Sequence, residues 1–442
     1  MDFQLFDDPI DENKDVIRKY YIEYRPVSAP TPGAPLEFFV PAHGPHPISL
    51  KDCTLALQWT VVKNGHEKIT PLEKVAPINL AHHTMWRQVD LSLHHSVLHS
   101  PGLLYAYRAY IEKLLGYNKH EKDSILNTEF WYTDDPGNFQ LARTYGSREK
   151  DLKDFEKMTP EQKALNPYGD TINKGFADRN EAIITKLFGV DTEGPIHLDM
   201  FQQDKPLLPG VDIGLKFWPN SSDFTIMQAR KNLNNYNVII KNACLKICYI
   251  EMKDTALNSI ESRLIKKPAT YPITKTVLKQ YFISHNTASF SIDDIYQGDV
   301  PSILIIGLIK AVSFAGNKND NPLRFCNYNL KSIGFYVNGE SVPSKPINVC
   351  FESQKGELKT EGYRSILSVL PEGSCPFDIA DWEHDNNLYG FNIAGKKESS
   401  IRKGHTRLEI IGNGSGDGQV LLTYAIFPGV VNITKDRRVI QD

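Results

Sequence analysis

Five of the thirteen histidines, His82, His83, His94, His95 and His99, fall in one short stretch. Imidazole ligates zinc and iron, so this crowding is the strongest pointer to chemistry in the chain. A metal site on facing β-strands calls for His-x-His with a downstream Glu, and no His-x-His occurs. Adjacent histidines on a strand point to opposite faces. The pattern therefore predicts polar turn and loop histidines rather than a ligand set. The glycine-rich run "GNGSGDG" (412–418) lacks a following Lys-Ser/Thr and predicts a hairpin loop, not a phosphate cradle. The acid pairs Asp134-Asp135 and Asp293-Asp294 sit beside turn formers and are expected to be solvated, not opposed across a cleft. There is no Gly-x-Ser-x-Gly elbow. The six cysteines (Cys53, Cys244, Cys248, Cys326, Cys350, Cys375) form no C-x-x-C pair and are expected to be free, buried thiols; Cys244 and Cys248 share one strand face. No catalytic, cofactor-binding or metal residue is expected, and hence no enzyme.

The chain that must carry these residues has 442 of them, enough for two domains. Its hydrophobic content of 41% and charged content of 23% are those of a globular protein. A net charge of −3 argues against strong direct binding of nucleic acid through a basic face. The acidic start "MDFQLFDDPIDENKD" has no signal-peptide pattern. The longest apolar run, "SILIIGLIKAVSFAG", is broken by Lys310 and too short to span a bilayer.

Strand-like segments dominate. They are "LEFFVPA", "CTLALQWTVV", 88–94, "IHLDMF", "VDIGLKF" and 236–252 in the first part, then "ITKTVLKQYFIS", "SILIIGLIKAVSF", "SIGFYV", "TRLEII" and "VLLTYAIF". Helical spacing appears at 103–115 (Leu103, Leu104, Tyr107, Ile111, Leu114, Leu115), at 179–188 and around 361–370. Residues 117–194 read as a turn-rich surface excursion. "SRLIKKPATYP" (262–272) reads as the interdomain linker.

One phrase is written twice. Val89, Leu91 and Leu93 alternate before a polar turn, Val97 and a Tyr107-Arg108 helix. Ile333, Phe335 and Val337 alternate before Asn338-Gly339, Val342 and a Tyr363-Arg364 helix. Each tyrosine is expected to bury its ring while the arginine reaches outward or to a loop carbonyl. Asn79 and Asn321 precede the two phrases at similar spacing. The fold class expected is all-β: two tandem eight-stranded jelly-roll sandwiches with short helices in the loops. The boundaries expected are an N-terminal arm at 1–35, a first jelly roll at 36–262 including the 117–194 excursion, a second at 271–434, and a tail at 435–442.

The ordered series "APINLAHHTMWRQVDLSLHHSVLHSPGLLYAYRAYIEKLLGY" (76–117), "KNACLKICYIEM" (241–252), "YPITKTVLKQYFIS" (271–284), "YQGDVPSILIIGLI" (296–309), "NPLRFCNYNLKSIGFYVNGESVP" (321–343) and "YAIFPGVVNITKDRRVIQD" (424–442) resembles double-jelly-roll major capsid proteins of Polinton/Maverick virus-like elements and adintoviruses. It departs from them at His94-His95, where an Asn-Gly-like turn is usual, and in the loose hairpin "GSGDGQ". The resemblance implies a structural protein whose homotrimers form pseudo-hexameric capsomers tiling an icosahedral shell around double-stranded DNA. Its implied partners are itself, neighbouring capsomers and a penton-type minor capsid protein. Its implied place is the virion capsid, assembled inside the host cell, with the nucleus one candidate compartment. The 117–194 excursion would form an outer tower or an interchain clasp. Other readings are a jelly-roll carbohydrate-binding protein or enzyme, disfavoured by five dispersed tryptophans (Trp59, Trp86, Trp131, Trp218, Trp382), and a domesticated host copy with a new role. A single-roll vertex protein is disfavoured by the duplication.

Overall fold

The computed structural model describes residues 15–42, 44–63, 67–70, 73–98, 102–142, 173–186, 189–229, 234–351, 356–393, 403–412, 416 and 418–441. His99, most of "GNGSGDG", the acidic start and residues 143–172 of the excursion lie outside them.

Alternation of buried and half-buried residues builds the strands. In Ile48–Lys63, Cys53, Leu55, Leu57, Trp59 and Val61 are buried while Thr54, Ala56, Gln58 and Thr60 are half-buried. That period of two is what a sheet with one covered face requires. Among the described residues, the two main sheets of the first half hold eight strands, β1 (Val16–Tyr24), β2 (Leu36–Val40), β3 (Ile48–Lys63), β4 (Trp86–Leu93), β5 (Ser96–Val97), β6 (Val190–Pro195), β7 (Ile213–Pro219) and β8 (Tyr236–Met252), with short strands Glu67–Lys68, Val75–Pro77 and Ile226–Gln228 besides. The second half matches it with β9 (Ala269–Ile283), β10 (Ser289–Asp293), β11 (Ile303–Lys310), β12 (Leu330–Val337), β13 (Glu340–Asn348), β14 (Leu388–Asn392), β15 (Thr406–Gly412) and β16 (Gln419–Ile433), and a short strand Val439–Gln441 pairs with β16.

Pairing is antiparallel throughout these strands. One sheet of the first half runs β1-β8-β3-β6 and the other β2-β7-β4-β5. The second half runs β9-β16-β11-β14 and β10-β15-β12-β13. Adding eight to each number of the first pattern gives the second. This is the jelly-roll order, written twice. Val89, Leu91 and Leu93 of β4 are buried, as are Ile333, Phe335 and Val337 of β12. Phe335 meets Phe391 of β14 across the second sandwich, ring centroids 5.8 Å apart.

The repeated turn also matches. His94 (φ 44°) and His95 (φ 65°) take the left-handed conformation that Asn338 (φ 52°) and Gly339 (φ 83°) take. The valines, however, do not correspond. Ser92 pairs with Val97 and Phe335 with Val342, so the equivalent of Val342 is Leu98, which bonds to Leu91. Val97 is exposed and Leu98 buried.

Several expected boundaries shift. β1 lies inside the segment read as an arm and pairs with β8 along its length. "IHLDMF" is not a strand: β6 ends before it, and Asp199–Phe201 is a single 3₁₀ turn. The 262–272 segment is no extended linker, because helix Asp254–Lys266 fills it until Pro268 stops the helix and β9 begins. "SILIIGLIKAVSF" turns helical at Ala311–Ala315. Nor is the 117–194 excursion only surface: Leu126, Phe130, Trp131, Phe139 and Phe176 are buried in it. Helix α1 (Ala81–Thr84) and helix α2 (Tyr105–Gly116) precede it, helix α3 (Lys119–Ser124) opens it, and helix α4 (Lys174–Thr185) lies before its end.

Helix α2 decides how the halves meet. Ten of its twelve residues are buried, including Arg108 and Lys113. A helix covered all round is a wedge, not a surface element. Tyr107 stacks on Phe314 of the second half at 5.3 Å, and its hydroxyl donates to the Pro322 carbonyl at 3.2 Å. Lys122 of α3 donates to the Pro376 carbonyl at 2.8 Å. The buried residues of both sandwiches form one continuous core.

Candidate functional site

Burying Arg108 on the wedge obliges the chain to surround it with acceptors. Its guanidinium pairs with Glu112 at 2.9 Å and with Asp199 at 2.7 Å. Glu112, one helical turn on, is the hub. It also takes bonds from His197, from Gln202 Nε2 at 2.6 Å and from the Tyr424 hydroxyl of β16 at 3.1 Å. Burial pushes the Glu112 carboxyl up, but Arg108 and His197 outweigh it and hold the group well below the usual carboxylate range. Asp199 is driven the other way: burial raises it more than Arg108 lowers it, and it also accepts the Thr276 amide of β9 at 3.2 Å. A cleft of about 590 Å³ between the halves opens beside this group.

A second cluster adjoins the first. Glu129 accepts from Lys113 Nζ at 2.6 Å on one oxygen and from His83 Nε2 at 2.8 Å on the other. Burial would raise its carboxyl; His83 and Lys113 outweigh that and hold it low. Burial depresses His83 to about 4 and His82 well below its ordinary value, so both imidazoles are neutral near neutral pH. His83 and His197 stand edge to face with centroids 4.6 Å apart. His82 Nδ1 lies 3.0 Å from the Thr192 hydroxyl, which also accepts from Trp59 Nε1.

The sequence-level reading of the histidines is therefore corrected in part. His94 and His95 form the β4–β5 turn as expected. His82 and His83 are not loop residues; they are buried in α1, below 2% exposed. The structure brings donor atoms of His83, His197 and Glu129 together, while His82 meets His83 only edge to face, ring centroids 4.7 Å apart. No local spacing announces that trio, whose members come from three separate segments.

Asp134 is also corrected. It is not solvated but buried against Arg179 of α4 at 2.8 Å, and Arg179 also donates to the carbonyls of Pro77 and Tyr132. Asp293 and Asp294 are exposed, as expected. The Tyr-Arg pairs diverge. Tyr107 is buried, but so is Arg108, whereas Tyr363 is half-buried and Arg364 exposed in helix α5 (Thr360–Leu367). All six cysteines are free; Cys53, Cys244 and Cys248 are buried, while Cys375 is exposed. No helix among the described residues is long and apolar enough to cross a membrane.

Chemically, both clusters are built on ion pairs whose carboxylates are held by fixed partners, while the Nε2 atoms of His82 and His197 stay unpaired. Neither sets a nucleophile beside a free base. What they do is tie α2 to both sandwiches.

No family model matches the chain. Among curated proteins it is similar to uncharacterized protein F54H12.2 of Caenorhabditis elegans, 21% identical over 340 residues, 76% of this chain and 71% of that one. Among solved structures it superposes on a chain of the Sputnik virophage with a TM-score of 0.61 at 10% identity, covering 97% of this chain and 89% of that chain. The mavirus major capsid protein matches with a TM-score of 0.52 at 9% identity, covering 100% of this chain and 95% of that one. A chain of the PBCV-1 virus capsid matches with a TM-score of 0.52 at 12% identity, covering 99% of each. The shared feature is the double-jelly-roll fold of virophage and giant-virus major capsid proteins.

Proposed function

We propose that this chain is a structural, non-enzymatic capsid protein. The observation that carries the reading is the strand order repeated from β1–β8 to β9–β16, combined with the whole-length likeness to the mavirus major capsid protein. Duplication has a physical use: three chains supply six similar sandwiches, which pack with a hexagonal outline. The finer reading is a homotrimeric, pseudo-hexameric capsomer that tiles an icosahedral shell around double-stranded DNA, with a penton-type protein at the vertices. The chain would then reside in the virion capsid after assembly inside the cell. The halves would divide near 262–271, with β1 assigned to the first. An origin in a Polinton/Maverick or adintovirus-type element is supported by a relative in a nematode, as expected of a capsid gene carried in an animal genome. That relative also favours a second reading, a domesticated copy that keeps the fold without assembling shells.

Light scattering coupled to gel filtration should give about three times the chain mass. Electron micrographs of concentrated protein should show shells for the first reading and isolated trimers for the second. A monomer at every concentration would sink both.

A further inference from the structure

At the inner end of the junction three ligand-type side chains converge from different segments. His83 lies on α1, Glu129 in the turn after α3, and His197 just after β6. All three are buried, and one donor atom from each lies within 4.8 Å of the other two. Three details set this trio apart from an ordinary buried ion pair.

The first is an orphan. His197 is 6% exposed, and its Nε2 has no hydrogen-bond partner. Its Nδ1 faces the Glu112 carboxylate, so in the neutral ring the proton sits on Nδ1 and Nε2 carries a bare lone pair. The second is Glu112 itself. A carboxylate behind the far nitrogen of a histidine is the usual support of a metal-bound imidazole, fixing its tautomer and orientation. The third is Gly194 of β6. A Cβ there would stand 2.9 Å from Glu129 Cγ and 3.1 Å from His82 Cδ2, so the space beside the carboxylate depends on that glycine.

We propose that His83 Nε2, Glu129 and His197 Nε2 form a binding site for a divalent transition-metal ion of the zinc class. Two imidazoles and one carboxylate are a recognised donor set for Zn²⁺, with a water in the fourth position. Tetrahedral coordination places donors ~3.3 Å apart, so small side-chain rotations close the trio around an ion. Lys113 occupies the Glu129 oxygen that faces away from His83, leaving the other for the metal. In the metal-free form His83 Nε2–H donates to Glu129. On binding, that hydrogen bond is exchanged for a coordination bond, and the ring proton moves to Nδ1, 3.4 Å from the Tyr105 hydroxyl. The ion would fasten α1, the turn after α3 and the segment after β6 at the base of the wedge. The fixed ammonium of Lys113 keeps the affinity modest.

The test uses the purified full chain, stripped with a chelator and titrated with Co²⁺ as a visible probe for zinc. Expected are ligand-field bands saturating at one ion per chain, their loss on adding Zn²⁺, and a higher melting temperature with Zn²⁺. His197→Gln should weaken binding at least tenfold with unchanged circular dichroism, and Glu112→Gln by roughly 10–100-fold. Lys113→Met should tighten binding by removing the opposing charge, which a purely structural ion pair would not do. His95→Asn in the β4–β5 turn should leave Co²⁺ affinity unchanged. Wild-type protein without bands at about millimolar Co²⁺ overturns the site whatever the variants do. Binding that survives in His197→Gln and disappears in His95→Asn overturns it as well.

Discussion

Lys122 carries its ammonium between the rings of Trp131 and Phe377, each about 5.8 Å away, and is 3% exposed. Burial drives its pKa down to about 7, with Asp381 and Asp123 opposing. In the unfolded chain the group stays protonated up to about 10.4. Between these values the unfolded state binds more protons, so this residue makes stability rise with pH from about 7 toward 10. Denaturant unfolding at pH 7 and 9 should show that gain in the wild type and lose it in Lys122→Met; an equal pH response in both refutes it. Asp134→Ala should be severe, because it strands the Arg179 guanidinium in the core. A loss of roughly 3–5 kcal/mol is expected by the same measurement. Neither residue stands out in the sequence. "TDDPGN" has the composition of a solvated turn, and only the placement of α4, 45 residues on from Asp134, makes it a buried pair. Buried charges belong to tertiary structure, and local composition carries no trace of them.

Strands that bury one face were legible, because a period of two survives in the residue types of β3, β4, β7 and β12. β10, β13 and β14 went unread along with β1 and β6, and the last two lack the pattern for physical reasons. β1 is a sheet edge with mostly exposed residues, and β6 turns Val190, Thr192 and Gly194 inward, of which only the first is a strong apolar signal. The short helix α1 buries His82 and His83, the reverse of what their polarity suggests. The β4–β5 turn offers a test at this scale. His94 and His95 hold left-handed conformations that Asn338-Gly339 adopts with less strain. Replacing His94-His95 with Asn-Gly should stabilise the chain by about 1 kcal/mol, read as a higher denaturation midpoint with unchanged slope. A lower midpoint would show that the His94 contact to Asp212 at 3.2 Å outweighs the strain.

As a whole the molecule behaves as two sandwiches locked around one helix, so independent unfolding of the halves is not expected. Calorimetry should give one transition, and Tyr107→Ala should lower it by roughly 3–5 kcal/mol of stability while loosening both halves together. Two resolved transitions in the wild type would contradict the lock. The duplication was readable because two copies kept the same order of strand, turn and helix; the lock was not, because its contacts join residues as distant as Glu112 and Tyr424. The pairing of β1 with β8 also bears on how the chain is made. Tyr20 faces Tyr249, and β8 is the strand that joins β1 to β3. On the ribosome, β1 therefore emerges with no partner and waits for Met252. At about 5–20 residues per second that wait lasts on the order of ten to fifty seconds. Throughout it an unpaired tyrosine-rich edge is open to neighbouring nascent chains, so the cell must shield it or risk pairing one chain with the next.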